Sequence, residues 1–200
     1  MDPARLRSLA ETFTRGDWAV EAAFLRAARV AELQREVEAL RSRGLFQAAG
    51  IGPRAERREE VRGDLILWIA PDTTPVAWRL LQRELESLRA ALNRVTFLGL
   101  HDFEGHYALY PAGAAYARHV DNFHGDSDRL ISMVLYLNED WSGMDGGELC
   151  LYPKGRQEPV WVAPHGGTLA CFLSEGMMHE VRPARRERLS LTGWFRRRPT

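Results

Sequence analysis

The sequence predicts an α+β fold in which N-terminal helices cover an antiparallel β-sandwich or barrel. Two observations predict it. Up to about residue 94, apolar residues recur every three or four positions, which is typical of helices packed on one face. From Val95 onward, short β-type runs are separated by glycine, proline, asparagine and aspartate. We expect one domain over residues 1–200, with a helical part over about 1–94 and a β core over about 95–198.

Residues 2–43 are expected to be helical. Asp2-Pro3 is a suitable start, because aspartate caps a helix and proline fits its first turn. Gly16-Asp17 interrupts this region, and a longer helix follows that ends near Gly44. Its predicted apolar stripe consists of Val20, Phe24, Ala27, Val30, Leu33, Val37 and Leu40.

A polar stretch from Ala48 to Gly63 is expected to form a long mobile loop. Such a loop is either a lid or binding element or an ordinary solvated surface loop. A short strand, Leu65–Ile69, follows it. Thr74-Pro75 then opens another helix that ends near Asn93. The apolar stripe of that helix consists of Trp78, Leu81, Leu85, Leu88 and Leu92.

Nine short β-type runs make up the remainder of the chain, and their spacing favours antiparallel pairing. The predicted strands are Val95–Leu100, His106–Tyr110, Tyr116–Val120, Leu130–Leu137, Glu148–Tyr152, Val160–Val162, Thr168–Phe172, Met178–Val181 and Arg188–Phe195.

The composition argues against several classes of partner. The chain carries 27 basic and 27 acidic residues, so no overall field attracts nucleic acid or an anionic membrane. The two cysteines, Cys150 and Cys171, lie in apolar runs without metal-type spacing, and we expect them to be small buried hydrophobic residues. No apolar signal core or membrane-spanning run is evident. A cytoplasmic location is therefore expected.

Three residues could form a metal site. On a strand, residues two apart share a face, so His119 and Asp121 would project together. His179 supplies a second imidazole sixty residues later. Two histidines and one carboxylate on a rigid scaffold are the facial set that holds Fe(II) and leaves coordination positions open. One His-x-Asp tripeptide arises by chance in many chains, so the prediction depends on the order of the features around it.

Arg188 is the feature that indicates a co-substrate. Oxygenases with this metal set need an electron donor, and 2-oxoglutarate has a far carboxylate that the protein must hold. A guanidinium group holds a buried carboxylate with two parallel charge-assisted bonds. On a strand, Arg188, Ser190 and Thr192 would face one way and Leu189 and Leu191 the other. Most other arginines near this end of the chain are expected to be solvated.

These features together resemble a known family, the 2-oxoglutarate- and Fe(II)-dependent oxygenases. Within it, the sequence is most similar to the hypoxia-type prolyl hydroxylases and their bacterial counterparts. The resemblance covers roughly residues 48–198. It is carried by Val61-Arg62-Gly63-Asp64 with Trp68, Tyr110-Pro111, Tyr116 to Asn122, Tyr136 to Trp141, Gly146-Gly147-Glu148-Leu149, His179-Glu180-Val181 and Arg188 to Trp194-Phe195.

The resemblance implies a fold and residue roles. The β core would be a double-stranded β-helix, or jelly roll. The metal ligands would be His119, Asp121 and His179. Arg188 would bind the far carboxylate of 2-oxoglutarate, helped by Tyr136. The remaining implied roles belong to Tyr110 at the metal-bound end of the co-substrate, Thr192 and Trp194 as pocket lining, and Asp64 and Arg129 at the substrate mouth.

The resemblance also implies an activity. The chain would be a dioxygenase that uses Fe(II), 2-oxoglutarate and O2 to hydroxylate a prolyl residue of a protein or peptide, with ascorbate as a stimulating reductant. Succinate and CO2 would be released. Bacterial members of this branch point to a translation factor or ribosomal protein as substrate, with the loop at 48–63 folding over it.

Three alternatives remain open from the sequence. The same chemistry could act on a free amino acid or another small molecule. A jelly-roll module could bind a ligand without catalysis, and a zinc hydrolase could use the same three ligands. We do not expect the other histidines to be metal ligands, since three already suffice. These are His101, His106, His124 and His165.

Overall fold

Two antiparallel sheets face each other, and three helices cover the outer face of the larger sheet. The structure, a computed structural model, describes residues 2–50, 61–69, 76–122 and 128–198. The helices in these ranges are α1 (Pro3–Gly16), α2 (Ala27–Ser42) and α3 (Val76–Thr96). The strands are β1 (Trp18–Glu21), β2 (Gln47–Ala48), β3 (Leu65–Trp68), β4 (Asp102–Tyr110), β5 (Tyr116–His119), β6 (Arg129–Tyr136), β7 (Leu149–Tyr152), β8 (Val160–Val162), β9 (Leu169–Leu173), β10 (Met178–Val181) and β11 (Arg188–Arg196).

The larger sheet has seven strands in the order β1-β9-β6-β11-β4-β3-β2, and the smaller has four in the order β5-β10-β7-β8. Neighbouring strands are antiparallel throughout. The strand at the centre of the larger sheet is β11, which pairs with β4 on one side and β6 on the other. This arrangement confirms the predicted α+β fold with a jelly-roll core.

Alternation along the central strands creates two separate cores. On β11, Leu191 and Phe195 face the helices and are fully buried there. The second core lies between the two sheets and contains Tyr136, Phe172 and Leu151. Polar residues share that inner side of β11, as the sequence predicts for Arg188, Ser190 and Thr192. The space between the sheets is therefore where a polar site can form.

The helices form where their capping and apolar patterns predict. Asp2 caps α1 by accepting a hydrogen bond from the backbone N–H of Ala4 at 3.0 Å, and Pro3 follows it. Leu81, Leu88 and Leu92 of α3 are fully buried against the larger sheet. The helices thus act as a layer that shields one face of the sheet.

Two sequence predictions are wrong. The second helix begins at Ala27, so Val20 and Phe24 are not part of its stripe. Val20 instead belongs to β1, which pairs with β9 at the edge of the larger sheet. The strand expected at Val95–Leu100 does not form, because α3 continues to Thr96 and an irregular segment follows. The part of the chain expected to be helical thus also contributes β1, β2 and the predicted strand β3.

Several predicted features lie outside the described residues. They are positions 51–60 of the expected loop, the Thr74-Pro75 helix start and His124. Ala48, the first residue of that loop, pairs in β2. Both cysteines are buried and free, as expected. Within the described ranges, no helix combines the length and apolar character needed to cross a bilayer. The single-domain division stays a prediction.

Candidate metal centre

The two histidines of the predicted site face each other across a pair of strands in the smaller sheet. β5 and β10 pair antiparallel with His119 directly opposite His179. β5 ends at His119, so Asp121 lies just beyond the strand rather than within it. The backbone after it is held by a hydrogen bond from the Asn122 N–H to the Ser174 carbonyl at 3.0 Å. The three side chains therefore converge from two adjacent strand ends.

One ligand atom from each of the three residues lies within 4.8 Å of the other two. The Asp121 Oδ1 atom is 3.5 Å from His119 Nε2 and 3.7 Å from His179 Nε2. Ligand atoms about 2.1 Å from one ion in a facial arrangement would lie about 3 Å apart. Small side-chain movements therefore suffice for these atoms to share one metal ion.

Backbone carbonyls orient both imidazole rings. The Nδ1 atom of His119 lies 2.8 Å from the Ala117 carbonyl, and that of His179 lies 3.0 Å from the Met177 carbonyl. A hydrogen bond at Nδ1 places the proton there and leaves Nε2 with a free lone pair for a metal. Burial lowers the pKa of His179, which favours the neutral ring that binds a cation.

The second oxygen of Asp121 has two donors of its own. Its Oδ2 atom accepts hydrogen bonds from the Ser132 hydroxyl at 2.6 Å and from the Trp194 indole N–H at 3.0 Å. The hydroxyl of Ser132 also lies 2.9 Å from that of Ser174. Burial raises the pKa of Asp121, but His179, His119 and Ser132 outweigh it, so the pKa falls well below its ordinary value. The carboxylate is thus ionised and presents Oδ1 to the histidines.

Arg188 lies in the same pocket, buried between aromatic rings. Its guanidinium carbon is 4.2 Å from the centre of the Tyr110 ring and 5.6 Å from that of Tyr136. Its Nη1 atom donates to the Gly147 carbonyl at 3.1 Å. Among the described residues, the Arg188 Nε atom and the Tyr136 hydroxyl have no hydrogen-bond partner although both are buried.

Such unpaired buried donors indicate a ligand, because an unsatisfied polar group costs about 1–3 kcal/mol. A positive guanidinium and a hydroxyl suit a carboxylate in particular. Burial raises the pKa of Tyr136 to about 12 and raises that of Tyr110 beyond its ordinary value, so both hydroxyls stay protonated donors. The pocket therefore fits a small molecule with one end at Arg188 and another at the metal ligands.

The remaining predicted site residues also line or border this pocket. Thr192 and Trp194 line it, and Trp194 has a role that the sequence did not indicate, since it donates to Asp121. Asp64 lines it as well, but its carboxylate is paired with the Arg62 guanidinium by bonds of 2.6 and 2.9 Å. Arg129 stacks over the Trp194 ring at 3.6 Å and donates to Glu104 at 2.6 Å.

Sequence reasoning missed Ser132, Ser174 and the pairing role of Arg62. Ser132 had a usable signal, because it is a polar residue inside the apolar run of β6, on the same face as Tyr136. Ser174 had no such signal, because it directly follows the end of β9 and serine is common where a strand gives way to a loop. Among the described residues, His119, Asp121 and His179 are the ones close enough to share one metal ion. That His101, His106 and His165 are not metal ligands stays a prediction.

Comparisons with known proteins agree with this geometry. The family model described as "2OG-Fe(II) oxygenase superfamily" matches residues 105–196. A curated relative, the "Hypoxia-inducible factor prolyl hydroxylase" of Caenorhabditis elegans, is 33% identical over 96% of this chain. The chain spans 28% of the length of that relative.

Two solved structures are similar over nearly the whole chain. One is a prolyl-4-hydroxylase from Pseudomonas putida, 42% identical, with a TM-score of 0.88 over 97% of this chain and 100% of the other. The other is a prolyl hydroxylase in complex with a hypoxia inducible factor peptide fragment from Trichoplax adhaerens. It is 29% identical, with a TM-score of 0.89 over 97% of this chain and 90% of that one. The three converging side chains, the pocket beside them and these similarities together show that the chain belongs to the 2OG-Fe(II) oxygenase superfamily.

Proposed function

We propose that the chain is an Fe(II)- and 2-oxoglutarate-dependent dioxygenase that hydroxylates a prolyl residue in a protein substrate. The observation that carries the proposal is that the metal-binding group and the buried Arg188 line one pocket. A catalytically silent binding module would not need both a facial ligand set and, beside it, a buried arginine whose Nε–H has no partner among the described residues.

In this proposal, His119, Asp121 and His179 hold Fe(II) through Nε2, Oδ1 and Nε2. Arg188 and the Tyr136 hydroxyl bind the far carboxylate of 2-oxoglutarate, and the Tyr110 ring packs against the guanidinium. The role of the Tyr110 hydroxyl at the metal-bound end of the co-substrate stays a prediction. When bound, iron and co-substrate would supply the oxidising power: O2 and 2-oxoglutarate become succinate and CO2, and one oxygen atom enters a C–H bond. The protein orients these groups and excludes water from the pocket.

The mouth of the pocket is the proposed place for the protein substrate. Two groups support this placement: the Arg62–Asp64 pair, which lines the pocket, and the partly exposed Arg129, which stacks on the lining residue Trp194. A prolyl substrate is supported by the names of the relatives above, which are prolyl hydroxylases. A translation factor or ribosomal protein as the substrate stays a prediction, as does the cytoplasmic location.

Mass spectrometry of the substrate proteome tests this function. Extracts of cells that lack the protein should be incubated with purified enzyme, Fe(II), 2-oxoglutarate, ascorbate and O2. We expect one or a few prolines in proteins to become heavier by one oxygen atom. The His179→Ala variant is the control and should modify none.

Other outcomes would identify the alternatives. Hydroxylation of free proline with no modified protein would assign the chemistry to a small molecule. Turnover that persists without O2 would point to hydrolysis by a zinc enzyme. Failure of Fe(II) and 2-oxoglutarate to bind at all would contradict the dioxygenase itself.

A further inference from the structure

A buried histidine that is not part of the metal group lines the same pocket. His106 lies on β4, directly opposite Thr192 of β11, and is 1% exposed. Its ring packs against two tryptophans, with ring centres 4.8 Å from Trp68 and 5.6 Å from Trp194. The packing fixes the ring, so its nitrogen atoms have defined positions in the pocket wall.

Neither nitrogen of this ring has a hydrogen-bond partner among the described residues. A buried imidazole that bonds nothing loses the hydration of two polar atoms, which costs about 1–3 kcal/mol per unsatisfied group. A phenylalanine or leucine would fill the space beside the tryptophans without that cost. Such a group in a folded protein calls for a ligand, a water molecule or a catalytic role.

The ring is neutral at ordinary pH. Burial lowers the pKa of His106 to about 3, and the nearby Arg62 guanidinium lowers it as well. The carboxylates of Asp64 and Asp121 act in the opposite direction and raise this pKa, whereas the Arg129 guanidinium lowers it further. A neutral imidazole has one N–H donor and one acceptor, so it can bind an oxygen atom without adding charge to the site.

The position of His106 indicates which ligand it serves. Along β11, Thr192 lies between Arg188 and Trp194, which donates to the metal-binding Asp121. His106 is at the level of Thr192, two residues from Trp194 and four from Arg188, so it faces the part of the pocket nearer the metal ligands. Trp68, 48% exposed, lies on one side of it. A group enclosed to this degree is reached by a small molecule inside the pocket more readily than by a polypeptide outside.

We propose that His106 is a further co-substrate-binding residue, whose imidazole N–H donates a hydrogen bond to an oxygen of 2-oxoglutarate at the metal-directed end. This inference depends on the proposed function, because it assigns a contact to the co-substrate of that reaction. It assigns His106 to binding and not to metal coordination, since the ring is outside the group of three ligands.

Binding measurements without turnover test the assignment. The protein is loaded with Zn(II), and 2-oxoglutarate is titrated by calorimetry for the wild type, His106→Leu and His106→Gln. Leucine fills the space without a hydrogen bond, whereas the glutamine amide supplies a donor. We expect His106→Leu to raise the dissociation constant of 2-oxoglutarate about three- to tenfold, the range of one neutral hydrogen bond. His106→Gln should recover most of this loss.

The stability of the ligand-free protein gives an independent readout. Replacing an unsatisfied imidazole by leucine should leave the melting temperature unchanged or raise it, whereas a structural histidine with a partner would lose stability. Tyr107→Phe is the matched control. Its side chain is on the opposite face of β4 and donates to Glu36 at 3.0 Å, so it should lower stability and leave 2-oxoglutarate binding unchanged.

Each outcome has one meaning. If wild-type protein binds no 2-oxoglutarate, the proposed function fails. If the wild type binds it and folded His106→Leu binds equally well, the assignment of His106 alone is overturned. The assignment of His106 is also overturned if His106→Leu changes only the affinity for a substrate peptide. If the leucine variant does not fold, ¹⁵N-histidine NMR of the wild type decides, because 2-oxoglutarate must then shift the ring nitrogens of His106.

Discussion

At the scale of single residues, the site depends on how the two oxygens of Asp121 are used. Oδ1 faces both histidines, whereas Oδ2 is held by Ser132 and Trp194. A carboxylate with one oxygen fixed in this way presents the other in a single orientation. Partners behind metal ligands fix ligand orientation and basicity, and their loss typically costs about tenfold to a hundredfold in metal affinity.

The Ser132→Ala variant tests this division of roles. Removing the 2.6 Å hydrogen bond frees the carboxylate to rotate, so we expect the Fe(II) dissociation constant to rise about tenfold. The affinity for 2-oxoglutarate at saturating metal should change much less, because Arg188 is untouched. Anaerobic titrations, first with Fe(II) and then with 2-oxoglutarate at saturating metal, measure the two dissociation constants. Ser87→Ala, on the exposed surface of α3, is the control, and equal metal affinity in the two variants would contradict the role of Ser132.

At the scale of elements, strand register brings the functional residues together. The pairing of β5 with β10 sets His119 against His179, and the pairing of β11 with β4 sets Arg188 against Tyr110. The turn before β7 completes the pocket, because the carbonyl of Gly147 accepts from Arg188. Gly147 has φ of +76°, and a Cβ there would lie 2.9 Å from that of Ala184.

Gly147→Ala should therefore disturb the pocket through its backbone. A side chain in the left-handed region costs about 1–2 kcal/mol. The close contact with Ala184 should add about 1–3 kcal/mol. Gly155→Ala is the matched control, since its φ is +81° but nothing lies within 4 Å of its Cβ. Urea unfolding should show a larger loss for Gly147→Ala, with weaker 2-oxoglutarate binding in that variant alone. Equal losses would contradict the packing role of this turn.

The sequence predicted the elements whose patterns are long and unambiguous. The strand β11 alternates polar and apolar residues from Arg188 to Thr192, so its two faces and the direction of Arg188 were predictable. Val20 and Phe24 were misassigned because a spacing of four fits a helical stripe, whereas β1 forms through pairing with the distant β9. The strand predicted from Val95 did not form because α3 continues past Asn93 to Thr96, and Val95 packs against the same core as the rest of the helix. The contacts of Ser132 and Trp194 with Asp121 depend on tertiary packing, which no local pattern encodes.

At the scale of the whole molecule, the two cores have different tasks. The core between the helices and the larger sheet contains Phe13, Leu33 and Leu88, while the site lies on the other face of that sheet. The helical layer thus stabilises the sheet without contributing a side chain to the metal group in the described residues. Stability and ligand binding should therefore be separable by mutation.

Phe13→Ala tests this separation. The side chain is 2% exposed on α1, and deleting it should lower the free energy of unfolding by about 3–5 kcal/mol. The dissociation constant of 2-oxoglutarate in the folded protein should stay unchanged. Phe97→Ala, at an 87% exposed position, is the control and should change stability by less than about 0.5 kcal/mol. A large loss of 2-oxoglutarate affinity in Phe13→Ala would show that the helical layer shapes the site.

The central claim is that three side chains hold iron beside an arginine that holds the oxoacid. Anaerobic absorption spectroscopy with Fe(II) and 2-oxoglutarate measures it most directly, because chelation gives a weak visible charge-transfer band. We predict this band for the wild type and none for His179→Ala, while Arg188→Ala should need far more 2-oxoglutarate to reach it and little more iron. A band of full strength in His179→Ala, or an unchanged 2-oxoglutarate requirement in Arg188→Ala, would contradict the account.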